Sequence, residues 1–349
     1  MSLEQTLIAT GAEAALLKLH AGIEKLHLLG LAGTIERIAE LAARTDLAGV
    51  TAISLSGMAP DWRNLAPPAE ALAELARAPA LTGVRSLTLD ENVLDDRGAI
   101  ALASASWLGT VEELVIIDNP ALGPEGVSAL APRFPALRRL YVEACNVGVA
   151  GARAIAASSM PLLDLGLAGC NVREEGAGEI FGSGLIAGIT RIGISNDSLG
   201  EAIARLAIRP ASALQQLELS NCGLSCRGAV DFAKGLPHRA LAHVNLSSNS
   251  LDDTVAMAFA ASTGFPALEK LDLRSNRIAE DGAVALGASG AMPALERLGL
   301  TDNELFTGKT RVYEWEAGMW EAGGTTVHEK MTGNQIEERF VTRRGLRVF

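Results

Sequence analysis

The pattern L-x-x-L-x-L-x-x-N-x-L returns along this chain at a nearly constant interval, as in "LEKLDLRSNRI" from Leu268 and "LERLGLTDNEL" from Leu295. With its first residue counted as position 1, matches begin at Val84, Val111, Leu137, Leu162, Ile189, Leu214, Leu241, Leu268 and Leu295. The successive steps in residue number are 27, 26, 25, 27, 25, 27, 27 and 27. Scattered apolar clusters do not hold such a register, so the chain reads as a repeat array. Two weaker units come first. Val50, Ile53 and Leu55 fit a strand, but the step from Val50 to Val84 is 34, about seven too many, and the excess falls in the loop "MAPDWRNLAP". Ile23, Leu26 and Leu28 lie one regular step further upstream, which makes eleven units with the first degenerate.

Each unit follows the same physical logic. Positions 1, 4 and 6 send Leu, Ile or Val inward from a short strand, because alternate residues of a strand face opposite ways. Position 9 carries Asn or Cys, whose side chain can satisfy backbone groups that the turn leaves unpaired. Position 11 returns an apolar residue to the core. Position 15 is Gly98, Gly151, Gly176, Gly228 or Gly282, and an Ala-rich helix such as "GAIALA" follows. Pro in "FPAL" and "MPAL" fixes φ just before the next strand. One unit cannot bury its apolar face alone, but stacked units can. The 349 residues are therefore expected to form one quasi-one-dimensional domain, not the two or three that length suggests.

This unit of strand then helix, with its near-constant step and Asn or Cys at position 9, resembles the ribonuclease-inhibitor-like class of leucine-rich repeats. The resemblance covers roughly residues 23–305. It implies an α/β fold: a right-handed leucine-rich-repeat solenoid, or horseshoe, with a parallel concave sheet and convex helices. Known members are mostly protein-binding scaffolds that use the concave strand face and the strand-to-helix loops, which implies an interaction protein and no enzyme. Function varies too widely within the class to be carried further. Residues 1–22 read as an N-terminal helical cap. Residues 306–349 read as a C-terminal cap, holding Phe306, Tyr313, Trp315, Trp320, Phe340 and Phe349, six of the fourteen aromatics. Within it, "TTVHEK" and "RFVTRRGLRVF" have the β character to extend the sheet.

A net charge of −11 disfavours nucleic acid and anionic membrane and favours a protein partner of basic character. No apolar run approaches the roughly 18 residues of a membrane span. The N-terminus lacks the basic region of a secretory signal, and four cysteines without a signal point to a reducing, cytoplasmic setting. Gly308, Lys309 and Thr310 copy the end of a phosphate-binding loop, but Asn303 stands where that loop needs its first Gly. The segment reads as a turn opening a helix. Cys145, Cys170 and Cys222, all at position 9, read as buried thiols replacing Asn, with Cys226 near a strand-to-helix turn. His20, His27, His238, His243 and His328 have no metal-ligand spacing and read as isolated surface side chains. No nucleophile–base set is identifiable, and no cofactor is expected.

Positions 3, 5 and 7 should face the concave side. Read down the stack from Ser54 and Ser56, large apolar groups occur there in one place: Val115, Ile117 and Tyr141, on adjacent units. Around them stand Asp90, Glu91, Glu113, Asp118 and Glu143. The inserted loop at the same end brings Trp62 and Arg63, residue types enriched at binding hot spots. An apolar centre with a charged rim is the anatomy of an interface. The competing reading is that Val and Ile are simply good strand formers and that Trp62 packs over the first coils. Two other functions stay open. One is a GTPase regulator of the Ran-activator type, an analogy weakened by the basic end "RFVTRRGLRVF". The other is a self-assembling solenoid that joins through its aromatic cap.

Overall fold

Strand pairing displays the repeat directly. The computed structural model describes residues 4–8, 24–29, 39, 42–45, 47–56, 69–90, 94–209, 211–304, 312–316, 319–323 and 347–348. The chain divides into two compact units, Met1–Val172 and Arg173–Phe349, where the repeat arithmetic predicts one array. In a solenoid each repeat touches only its neighbours, so no single core forbids such a division.

The first unit contains strands β1 (Glu4–Ile8), β2 (Lys25–Leu29), β3 (Ala52–Ser56), β4 (Ser86–Asp90), β5 (Glu113–Ile117), β6 (Arg139–Glu143) and β7 (Asp164–Ala168), paired in that order and all parallel. Leu26, Ile53, Leu87, Leu114, Leu140 and Leu165 are successive register partners. Ala52 pairs with Ser86 despite the long step between them, so the excess is an insertion that leaves the strands in phase. Helices α1 (Ala69–Ala76), α2 (Asp96–Leu102), α3 (Pro124–Leu130) and α4 (Gly148–Ala157) connect the strands. The region read as a helical cap contributes a strand at Glu4–Ile8, which adds to β2. Thr6 and Ile8 are β-branched and suit a strand laid along an existing parallel edge. The rest of residues 1–22 lies outside the described residues.

The second unit runs α5 (Arg173–Gly182), β8 (Arg191–Gly193), β9 (Gln216–Glu218), α6 (Cys226–Lys234), β10 (His243–Asn245), α7 (Asp253–Ala261), β11 (Lys270–Asp272), α8 (Glu280–Ala288) and β12 (Arg297–Gly299). Its strands pair in parallel, at offsets of 25, 27, 27 and 27. Strand β13 (Val312–Glu316) forms an antiparallel hairpin with β14 (Met319–Gly323), and β15 (Arg347–Val348) pairs with β12. The segment soon after Thr310 is thus a strand where the sequence predicts a helix; the β-branched and aromatic run "VYEWE" has strand propensity. The expected extension of the sheet by the chain's last residues is seen at β15, while "TTVHEK" lies outside the described residues. Among the described residues, no helix is long and apolar enough to cross a membrane.

The asparagines at position 9 bridge neighbouring repeats. Asn276 Oδ1 accepts from the amides of Asn249 (3.0 Å) and Leu251 (2.9 Å), and its Nδ2 donates to the carbonyls of Leu246, Leu273 and Arg274. Asn249 does the same for Cys222 and Leu224, and Asn119 bridges Leu94 and Leu89. The cysteines fill this slot as buried donors. Cys170 Sγ donates to the Val142 carbonyl at 2.9 Å, and Cys222 Sγ to that of Ile194 at 2.9 Å. Burial pushes the Cys145 thiol up to about 11 and that of Cys222 to about 12, so both keep the proton they donate at neutral pH. Asp197 breaks the series. It is half-exposed, caps Arg173 N and Ser198 N, and belongs to a repeat that uses a 3-10 turn (Ala202–Ala207) instead of an α-helix.

Position-15 glycines mark close helix approach. A Cβ on Gly282 would stand 2.9 Å from Ala256 Cβ on the preceding helix, and one on Gly126, which comes one residue later in its repeat, would stand 2.9 Å from Ala99 Cβ. Position 8 has its own backbone rule, left-handed in Asp118, Ala144, Gly169, Asn196, Asn221, Ser248, Ser275 and Asp302. Asn, Asp, Ser and Gly tolerate or favour that region, but Ala144, at φ 49°, gains nothing from its side chain there. Ala144→Gly is expected to raise stability by about 0.5–1 kcal/mol, seen as a higher urea midpoint. A lower midpoint would refute the strain.

One expectation fails outright. His238 is fully buried, not a surface side chain. It lies three residues before position 1 of its repeat, the slot that holds Leu81, Leu108, Phe134, Phe265 and Met292 elsewhere, all buried. His238 has taken an apolar slot. Its ring stacks on Phe265 with centroids 5.8 Å apart, and Phe232 stands at 4.9 Å.

Candidate docking site

The open face of β4, β5 and β6, away from the helices, carries the sequence-predicted site. Burial alternates along each of these strands, with positions 4 and 6 buried and positions 3, 5 and 7 half-buried. Leu114 and Ile116 of β5 point into the helix-side core, where an apolar void of about 20 Å³ lies among Leu114, Ile116, Phe134, Leu140, Val142 and Met160. A space that small and wholly apolar suits no ligand. Val115 and Ile117 therefore face the other way, as the period of two requires.

Register fixes who stands beside whom. Thr88, Val115, Tyr141 and Gly166 form one row; Asp90, Ile117, Glu143 and Ala168 form the next; Ser86, Glu113, Arg139 and Asp164 form the third. The structure thus brings Val115, Ile117, Tyr141, Asp90, Glu113 and Glu143 onto one face, with Asp118 exposed at the turn after β5. Trp62, Arg63 and Glu91 lie outside the described residues.

Two members are already engaged. Glu113 accepts from Ser86 Oγ (3.1 Å) and from Arg139 Nε (3.0 Å). That hydrogen bond holds the Arg139 guanidinium above its ordinary range, against the opposing effect of burial. Tyr141 donates its hydroxyl to Asp164 Oδ2 (3.3 Å), and its ring covers Gly166 so closely that a Cβ there would lie 2.8 Å from Tyr141 Cδ1. The phenol is thereby anchored toward β7. Arg139 and Asp164 were missed in the sequence. Reading position 3 down the stack, as positions 5 and 7 were read, would have found them.

Asp90 is the perturbed acid of the face. Burial pushes its carboxyl up, and the charge of Asp118 adds to the effect. Neither acid has an ion pair among the described residues, and the same holds for Glu143. No group of three or more His, Cys, Asp or Glu positioned to hold a metal occurs among the described residues. The face offers apolar contact, hydrogen bonding and negative charge.

A family profile described as leucine-rich repeat matches residues 266–287. No curated protein matches the chain. Among solved structures, the TLR13–ssRNA13 complex aligns at 18% identity over 82% of this chain and 33% of that one, with a TM-score of 0.44. The chain thus spans about a third of that protein. The yeast Rad7–Elc1 complex aligns at 14% identity over 94% and 81%, with a TM-score of 0.48. A Bacteroides fragilis protein aligns at 10% identity over 95% and 75%, with a TM-score of 0.39.

Proposed function

We propose, starting from the leucine-rich repeat matched at residues 266–287 and the register that repeats it along the chain, that the protein works as a non-catalytic module binding a partner protein on the open strand face of its first unit. The observation that supports this most is the β5 row. Val115 and Ile117 are aliphatic on a face where the corresponding positions of the other regular repeats hold Ser, Thr, Asn, Asp, Glu, Gly, Ala, Arg or the anchored Tyr141, while the degenerate first unit has His27 and Leu29 there. Aliphatic groups on an open face are stabilised when a partner covers them. Half-buried acids at Asp90 and Glu143 then act as the polar rim. Negative charge around the pair favours a basic partner over nucleic acid.

The test is binding by a Val115→Asp, Ile117→Asp, Tyr141→Ala variant whose circular dichroism matches the wild type. A protein captured by the wild type, re-expressed and titrated against both forms, should bind the variant at least tenfold more weakly, and the wild-type Kd should rise with salt. Equal affinity for both forms would assign Val115 and Ile117 to strand filling.

A further inference from the structure

We propose that the β4–β6 face receives a lysine or arginine side chain of its partner protein, with the alkyl stem along Ile117 and the charged head held by Asp90, Asp118 and Glu143. The proposal rests on the docking reading above and specifies its chemistry.

Charge accounting on the open strand faces leads to it. Among the described residues, carboxylates of these faces are matched with the chain's own cations, as two cases show. In the first unit, Glu113 is taken by Arg139. In the second, Asp272 is fully buried and is gripped by Arg274, with Nη2 at 2.7 Å from Oδ2 and Nε at 2.9 Å from Oδ1. The Arg274 stem runs over the neighbouring strand, its Cγ 3.1 Å from where a Cβ on Gly299 would be. A buried acid on this kind of face is thus satisfied by a cation whose stem lies flat across the sheet. Asp90, Asp118 and Glu143 have no such cation among the described residues.

Their placement suits one supplied from outside. Asp90, Ile117 and Glu143 are successive register partners, so the two acids flank Ile117 at about 4.8 Å per strand. Asp118 follows Ile117 directly, turned outward at φ 53°. The flanking acids stand on either side of an aliphatic surface, the arrangement that a long side chain with an apolar stem and a cationic tip covers in one piece. Asp90 and Asp118 repel each other, and Asp90 is half-buried; a cation between them relieves both penalties. A purely apolar partner would cover Ile117 and desolvate the acids further, and an anionic partner would add repulsion.

The probe is a blocked nonapeptide alternating leucine and arginine. It is compared with one in which citrulline, the neutral isostere, replaces arginine, and with one in which serine replaces leucine. Affinity is measured by calorimetry for the whole chain. The leucine–arginine peptide should bind the wild type at least tenfold tighter than either control. Asp90→Asn, Asp118→Asn, Glu143→Gln should reduce it to the citrulline level. A second triple variant, Glu175→Gln, Asp231→Asn, Asp281→Asn, removes the same charge from exposed helix positions and should bind as the wild type does. Equal weakening in both triple variants would reduce the effect to bulk charge and overturn the proposal. If citrulline binds as well as arginine, and Val115→Ser with Ile117→Ser abolishes binding, the face docks apolar chains without a cation; the proposal then falls and the docking reading stands. Binding untouched by Val115→Ser with Ile117→Ser would bring down both. Should the face triple variant lose its fold, Asp118→Asn alone, at an exposed position, is expected to weaken the arginine peptide and leave the citrulline peptide unchanged.

Discussion

Asn276→Ala lowers stability by about 3 kcal/mol or more. The replacement strands two amides of the preceding repeat, those of Asn249 and Leu251, and three carbonyls that the side-chain amide had joined. Four of these five bonds are buried and the one to Arg274 is half-buried, and a buried unpaired group costs about 1–3 kcal/mol. Cys222→Ala, in the same slot, should cost only about 1 kcal/mol, because a thiol is a weak donor and a weak acceptor. Urea unfolding of the two variants side by side checks the ranking. Equal losses would mean that position 9 acts by filling space and not by bridging repeats.

His238 should make the protein acid-sensitive. Burial lowers its pKa to about 4 from an ordinary 6.5, and neither ring nitrogen meets a hydrogen-bond partner among the described residues. The folded state therefore holds the neutral imidazole, while the unfolded chain takes up a proton as pH falls through 6.5. Stability is full above that value and declines toward pH 4, where the loss reaches about 3 kcal/mol, at about 1.4 kcal/mol per pH unit. His238→Phe removes the titrating group and suits a slot already lined by Phe232 and Phe265. The stability difference between variant and wild type, from urea unfolding at pH 7.5, 6.0 and 4.5, should widen as the pH falls. A constant difference would show that His238 does not carry the effect, since carboxylate titration is common to both forms.

The same residue shows why part of this fold was hard to read. Histidine carries polar atoms, and in isolation "LPHRAL" looks like an exposed loop. Only alignment with "GFPALE" places His238 in the slot of Phe265, and that alignment lies in the sequence. Position 8 is similar. Its run of Asp, Asn, Ser and Gly encodes a left-handed turn in repeat after repeat, with Ala144 as the exception. The rows of the open face were legible because strand period and repeat interval together fix which side chains are neighbours, as the pairing of Thr88, Val115 and Tyr141 bears out. Arg139 taking Glu113, and Tyr141 turning over Gly166, were not legible. Both depend on rotamers that cross from one strand to the next.

The sequence alone determined the period, the eleven repeat strands, the inward positions 1, 4 and 6, and the slot for asparagine. These follow from chain arithmetic, because a register that holds from one repeat to the next must place equal positions side by side. The tertiary structure decided which charges are already paired. It matched Glu113 and Asp272 with their own arginines, left Asp90, Asp118 and Glu143 without a cation among the described residues, and set His238 among phenylalanines. Pairing is a matter of a few ångströms between side chains from different repeats, a distance that no local pattern encodes.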